Sequence, residues 1–244
     1  MIAANFKLHK TNEEVAEYLR ILQSASLKER DILVCPSYVS VITGSDITNG
    51  SDIMIGAQDI SQYDEGAYTG DVSGKMLKGF CKYVIVGHSE KRHVFMDSDE
   101  TVSKKLHMAL KNSIIPILCI GETADERDNG QTEAVLKKQI KTGLKSATIN
   151  DEFIVAYEPV WAISSGNTHH EPATPELAEK QHKYIRALIA EIYNNDTAEK
   201  LRILYGGSVK PENVASFLKI PDIDGVLVGS ASLNIQSFIQ IINS

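Results

Sequence analysis

Glu158 closes an apolar run, Phe153 to Tyr157, and Pro159 follows it at once. A carboxylate held at a strand end in an apolar mouth can work as a general base. Beyond Trp161 the chain turns small and polar through Ser164, Ser165, Gly166, Asn167 and Thr168, with too little side chain to pack a core. A base followed by a loop able to move suits chemistry that must exclude water. Asn5-Phe6-Lys7 alternates in period two, so Asn5 and Lys7 face one way and Lys7 can hold an anion by charge. In Gly87-His88-Ser89-Glu90 the glycine permits a sharp turn, and a helix starting there would aim N–H groups at the imidazole and keep it a neutral donor. Tyr205-Gly206-Gly207-Ser208 and Val228-Gly229-Ser230 are turns small enough to bring backbone amides close to an anion. Each has a plainer reading: a surface lysine, a histidine satisfied locally, a glutamate paired with a lysine, and ordinary turn punctuation.

The elements that would position these residues are legible in the hydrophobic pattern. Near-continuous apolar runs at Ile2–Phe6, Ile32–Cys35, Ile53–Ala57, Tyr83–Val86, Ile115–Ile120, Phe153–Tyr157, Arg202–Tyr205 and Gly225–Val228 suit parallel strands buried on both faces. Between them lie helical stripes. Val15, Leu19 and Leu22 follow a cap at Thr11 or Asn12, and Val102, Leu106 and Ala109 follow Ser98 and Asp99. Leu136, Ile140 and Leu144 form a third stripe, and Leu177, Tyr184, Leu188 and Ile192 a fourth that opens with Thr174 and Pro175. Val214, Phe217 and Leu218 mark a short helix, with others expected around Val39–Thr43 and Phe238–Ile242.

Eight strands alternating with helices make βα units, which close into a barrel or open into a doubly wound sheet. Periodicity does not choose between the two. In either, polar residues just past the strand ends gather on one face, and Gly-rich turns after strands seven and eight match the usual phosphate site of barrel enzymes. No linker or low-complexity segment interrupts the chain, so residues 1–244 are expected to form a single domain.

Composition limits the classes. A formal charge of −7, with no block of Lys or Arg, argues against nucleic-acid binding but not against a small anion, which responds to the local field. Cys35, Cys81 and Cys119 are odd in number, lack CxxC spacing and lie in apolar contexts, so free thiols in a reducing compartment are expected. No signal peptide or transmembrane-length run is visible, and a cytoplasmic protein with no membrane partner follows. Cys119 has no histidine near it in sequence and reads as support rather than nucleophile. The remaining histidines, including the adjacent His169-His170, lack metal-ligand spacing, so no metal is expected.

Taken together, Ala4-Asn5-Phe6-Lys7, Val86-Gly87-His88-Ser89-Glu90, Ala156-Tyr157-Glu158-Pro159-Val160-Trp161-Ala162 and Tyr205-Gly206-Gly207-Ser208-Val209-Lys210 resemble the motifs of the triosephosphate isomerase family. Gly56-Ala57-Gln58-Asp59, Gly66-Ala67-Tyr68-Thr69-Gly70 and Cys119-Ile120-Gly121-Glu122-Thr123 do so too, in family order over essentially the whole chain. The resemblance implies a closed (β/α)8 TIM barrel. It implies a step of glycolysis and gluconeogenesis: cofactor-free interconversion of dihydroxyacetone phosphate and D-glyceraldehyde 3-phosphate. By the same resemblance Glu158 is the base, His88 polarises the carbonyl, Lys7 faces phosphate and enediolate, and Asn5 is a further donor. Ser89 would hold Glu158 at rest, Glu90 would support Lys7, and Cys119 would back the site. Ser164, Ser208, Gly229 and Ser230 would bind the phosphate. Pro159, Val160, Trp161 and Gly166 would belong to a lid latched by Tyr205 and Ser208, with Trp161 pairing with Glu122. The loop bearing Thr69 would reach a partner subunit, giving a homodimer.

Three departures stand out. Ser164 replaces a family glycine in the lid, where a positive φ would strain it. Ser230 follows Gly229 where the family often has a second glycine, and Lys91 replaces an arginine, giving up bidentate pairing. Another phosphate-binding barrel would share the two turns without Lys7, His88 and Glu158 together. A non-catalytic barrel scaffold would be expected to have lost one of the three.

Overall fold

The computed structural model describes residues 1–149, 152–163 and 173–244. Its strands are β1 (Ile2–Asn5), β2 (Ile32–Cys35), β3 (Ile53–Ala57), β4 (Tyr83–Val86), β5 (Ile115–Ile120), β6 (Ile154–Tyr157), β7 (Arg202–Tyr205) and β8 (Gly225–Val228). All pair in parallel with their sequence neighbours, and Ile2, Ala3 and Ala4 register with Val226, Leu227 and Val228 to close a barrel. Periodicity left barrel and open sheet undecided, and this last pairing decides it.

Eleven helices are seen among the described residues. They are α1 (Asn12–Ser24), α2 (Val41–Thr48), α3 (Gly74–Leu77), α4 (Ser89–His93), α5 (Asp99–Lys111), α6 (Ala124–Asp128), α7 (Thr132–Gly143), α8 (Pro175–Ile192), α9 (Asn195–Lys200), α10 (Val214–Leu218) and α11 (Ile235–Ile242). Of the four long ones, α1, α5 and α8 start at side-chain caps, while α7 starts without one. The Glu14 amide donates to Thr11 Oγ1 while Glu14 answers with its carboxylate on the Thr11 amide, and Ser98 and Thr174 cap α5 and α8. The four-residue α3, five-residue α6 and six-residue α9 escape sequence reading because each is too short to show a period.

Two cores follow from strand alternation. Ala3, Leu33, Ile85, Ile117, Ile154, Ala156, Leu204 and Leu227 pack together with no helical partner among the described residues, filling the barrel. Their alternates, among them Ile2, Val34, Val84, Leu118 and Val155, pack outward against the helices. The parity of the inner set carries on to Asn5 in β1 and to Glu158 directly after β6. Two strand ends therefore deliver their polar residues to the same mouth.

On α8 the buried stripe differs from the expected one. Ala178, His182, Ile185 and Ile189 form its centre; of the expected residues Leu188 is buried, while Leu177, Tyr184 and Ile192 flank the stripe half-buried. A small alanine and a histidine carry no hydrophobic signal, and this hides the true face. His182 is fully buried, its Nδ1–H donating to the Asp222 carbonyl at 3.1 Å and its ring edge-on to Tyr157. Burial lowers its pKa and the nearby Arg186 adds to this, against a smaller opposing effect of the Asp222 hydrogen bond, leaving it at about 4. Because the folded value lies below the ordinary 6.5, the unfolded chain takes up this proton first as pH falls. The neutral ring's stabilising contribution is complete above 6.5 and is lost as pH drops toward 4. Urea midpoints should therefore show the parent losing about 2 kcal/mol more than His182→Leu between pH 7 and pH 5. Equal losses in the two chains would rule the assignment out.

Candidate active site

Asn5, Lys7, His88 and Glu158 line one pocket, together with Ile163, Gly206, Gly207, Val209, Leu227, Gly229 and Ser230. Lys7 reaches it from a left-handed backbone, φ 50°, a conformation a non-glycine residue holds only when its surroundings over-determine it. Three bonds do so. The Lys7 amide donates to Asn5 Oδ1 at 3.0 Å, its carbonyl accepts from Gln58 Nε2 at 2.9 Å, and its Nζ meets Glu90 Oε1 at 2.7 Å. With Oδ1 engaged by Lys7, the Asn5 side chain has its NH2 group left for a ligand. Burial raises the Glu90 carboxyl, but the hydrogen bond from Lys7 and the Lys7 charge hold it below the usual carboxylate range.

His88 owes its place to Gly87. Alternation along β4 would turn residue 88 outward, but Gly87 takes φ 73°, where a side chain would also run into Val102 and Arg92, and the chain bends so that His88 lines the pocket. His88 also caps α4: its Nδ1 accepts the Glu90 amide at 3.2 Å. An accepting Nδ1 leaves the proton on Nε2, so the ring offers a neutral N–H donor. Nε2 stands 3.4 Å from Glu158 Oε1.

Glu158, 2% exposed, is anchored by its other oxygen, Oε2 accepting the backbone amide of Ser89 at 3.1 Å. Its backbone amide donates to the Ile120 carbonyl at 2.7 Å. Gly206 leaves room for it, since a Cβ there would lie 2.8 Å from Glu158 Cγ. Burial pushes the Cys119 thiol well above its ordinary range, and the adjacent Glu158 carboxylate adds to this, so Cys119 stays a neutral thiol beside Glu158.

The two Gly-rich turns divide their labour. Gly206 makes space for Glu158, and a Cβ on Gly207 would strike the Tyr205 hydroxyl at 2.1 Å. Gly229 lies against Lys7, and Ser230 opens a 3-10 turn through Ser232. Ser208 does not line the pocket among the described residues; its amide donates to the Ala162 carbonyl at 2.9 Å. Burial pushes the Tyr205 hydroxyl up, partly offset by the approaching Ala173 amide, although no hydrogen bond of ordinary geometry forms there among the described residues.

Pro159 leads into a 3-10 turn over Val160–Ala162. Glu122 secures that turn: its carbonyl accepts the Val160 amide at 3.0 Å, and its carboxylate accepts Trp161 Nε1 at 2.8 Å and the Tyr157 hydroxyl at 3.1 Å. Arg127 stacks over the Trp161 ring at 4.1 Å. Ser164 and Gly166, with the second half of the expected lid and the His169-His170 pair, lie outside the described residues. Gln58 is the functional neighbour that sequence reading left without a role; a polar residue directly after β3 was its signal. Among the described residues no group of three or more His, Cys, Asp or Glu side chains is placed to hold a metal ion.

The arrangement puts a carboxylate, a neutral imidazole N–H and an ammonium around one small volume walled by glycine turns. That set can move a proton next to a carbonyl while donors meet the developing negative charge. Comparison with known proteins bears on the same chemistry. The family model for triosephosphate isomerase matches residues 1–244. Triosephosphate isomerase of Moorella thermoacetica is 44% identical, with 100% of this chain and 97% of that protein covered. That of Fusobacterium nucleatum is 45% identical, covering 100% and 98%, and that of a Roseiflexus species is 42% identical, covering 100% and 96%. A match of that extent, to proteins of one name, leaves a single assignment: the chain belongs to the triosephosphate isomerase family.

Proposed function

We propose that this chain interconverts dihydroxyacetone phosphate and D-glyceraldehyde 3-phosphate, with residues 1–244 acting as one catalytic domain and Glu158 as its base. The carboxylate takes a proton from the carbon beside the carbonyl and returns it to the neighbouring carbon. The enediolate formed between these steps is met by His88 Nε2–H, Lys7 and Asn5, and His88 carries protons between the two oxygens. The phosphate sits on the amides of Gly207, Gly229 and Ser230, with Ser208 holding the lid's first turn. Turns that end in amides and an ammonium bind a dianion through direct hydrogen bonds and charge. The observation that carries the reading is the meeting of Asn5, Lys7, His88 and Glu158, from three separate strand ends, opposite two Gly-rich turns. The deciding experiment follows dihydroxyacetone phosphate formation from D-glyceraldehyde 3-phosphate with a coupled assay; background rates in folded protein would sink the proposal.

The finer reading is a cytoplasmic homodimer. Leu8 (96% exposed), Val39, Met76 and the run Val94, Phe95, Met96 (78% exposed at Met96) all lie in segments that leave the C-terminal ends of β1–β4. So much apolar surface in one sector of the barrel suits a buried interface. The neighbouring polar loop is held in shape: Tyr63 stacks on Tyr68 at 3.7 Å, Lys75 pairs with Glu65, and Lys111 with Asp64. A loop so fixed, carrying Thr69, is ready to enter a second copy beside its Lys7. Sedimentation should give twice the 26.8 kDa chain mass, and Met96→Lys should halve it. A monomeric parent at micromolar concentration would end this reading. Three buried free cysteines accord with a reducing cytoplasm, and no helix is long and apolar enough to cross a membrane among the described residues.

A further inference from the structure

Gly87 ends β4 early to direct His88 into the pocket, and that turn leaves the adjoining edge of β5 without a partner. The register runs Tyr83↔Ile115 to Val86↔Leu118 and then stops. Past Leu118, the β5 groups that face β4 belong to Cys119 and Gly121, while those of Ile120 and Glu122 face β6, where their carbonyls accept the Glu158 and Val160 amides. The stranded groups are buried and need partners. Arg92 Nη2 donates to the Cys119 carbonyl at 3.1 Å. Gln139, a buried residue of α7, takes the Gly121 peptide on both sides. Its Oε1 accepts the Gly121 amide at 2.8 Å, and its Nε2 donates to the Gly121 carbonyl at 3.2 Å.

On the opposite face of Gly121 lies Glu158 itself. A Cβ on Gly121 would stand 1.8 Å from the Glu158 carbonyl oxygen, so the two backbones touch with no side chain between them. The next residue is Glu122, which holds Tyr157, Val160 and Trp161. We infer that Gln139 is a positioning residue: its carboxamide replaces the missing β4 strand, and in doing so fixes the β5 exit against which both Glu158 and the first turn of the lid are registered. This rests on Glu158 being the base.

The carboxamide is required as a donor and an acceptor at once, which gives the test a chemical switch. In Gln139→Glu the ionised side chain can accept the Gly121 N–H but opposes the Gly121 carbonyl; once protonated it can do both jobs again. Gln139→Met keeps the length and can do neither. Steady-state kinetics with D-glyceraldehyde 3-phosphate should show kcat down roughly 10- to 100-fold in both variants at pH 8, with KM little changed, since misplacing a base by about 1 Å has that effect. As pH is lowered, kcat relative to the parent at the same pH should recover in Gln139→Glu and stay low in Gln139→Met. The fluorescence of Trp161, the single tryptophan, should shift with pH in Gln139→Glu in step with kcat.

A kcat within twofold of the parent in folded Gln139→Glu at pH 8, or a loss without recovery on acidification, would overturn the inference. So would an effect confined to KM. Should Gln139→Met not fold, the isosteric Gln139→Glu decides alone. Lost kcat in the Gln139 variants beside an unchanged rate in Glu158→Asp would instead fault the assignment of the base.

Discussion

Glu158→Asp is expected to fold as the parent does and to turn over roughly a hundredfold more slowly. The glutamate's length is matched to two contacts: Oε2 on the Ser89 amide at 3.1 Å and Oε1 facing His88 Nε2 at 3.4 Å. Its methylenes fill the space that Gly206 leaves open, and its backbone is locked to Ile120. An aspartate on the same fixed backbone cannot advance to recover the lost reach, so its carboxylate withdraws by about 1 Å from where a substrate carbon would sit. A hundredfold is about 2.7 kcal/mol of barrel-held geometry. Glu158→Gln keeps the length and removes the basicity, so it should fall further still. Both variants should keep the parent's circular dichroism and melting temperature to within a few degrees, because the change lies in a polar mouth rather than in either core. A near-parental kcat in Glu158→Asp would show that Glu158 is not the base.

Lys7→Met should have the larger effect on kcat/KM, a fall of about a thousandfold or more. Two causes add. The ammonium proposed to face a dianionic substrate and its enediolate disappears, and Glu90 is left behind without the Lys7 cation now at 2.7 Å. A carboxylate stripped of its partner then repels the ligand from the pocket edge. The two causes separate in the double variant Lys7→Met/Glu90→Gln. Removing the orphaned charge should restore part of the loss, mainly in KM, while kcat stays low because the transition-state contact remains absent. Steady-state kinetics over a range of ionic strength checks this, since the repulsive part should shrink as salt rises. A kcat/KM within tenfold of the parent in Lys7→Met would remove Lys7 from the site.

Much of this was legible in the chain. Apolar runs between turn residues are a local signal, and six of the eight strands have the bounds that those runs predict. The inward parity of Asn5, the breaking glycine before His88 and the carboxylate at the end of β6 follow from period-two geometry and from glycine's freedom at positive φ, whereas Lys7 reaches the same pocket from a left-handed backbone past the strand end. The family motifs then joined these separate strand ends into one expected site.

What the chain could not state is which groups meet when distant segments pack. Closure depends on Ile2–Ala4 finding Val226–Val228, a pairing between the two ends of the sequence that no local pattern encodes. His182 fills the inner face of α8 because its ring fits against Tyr157 and the Asp222 carbonyl, although by polarity it belongs outside. Glu158 is held by the backbone amide of Ser89 rather than by a property of serine, so the residue type at 89 carried no signal for that bond. Gln139 is the same case at longer range. A glutamine on an otherwise ordinary helix becomes the substitute for a strand only because β4 turns away and leaves Gly121 unpaired beside Glu158. Local periodicity determined the strands and the residues at their ends. Barrel closure and the need to satisfy buried backbone groups decided what surrounds Glu158.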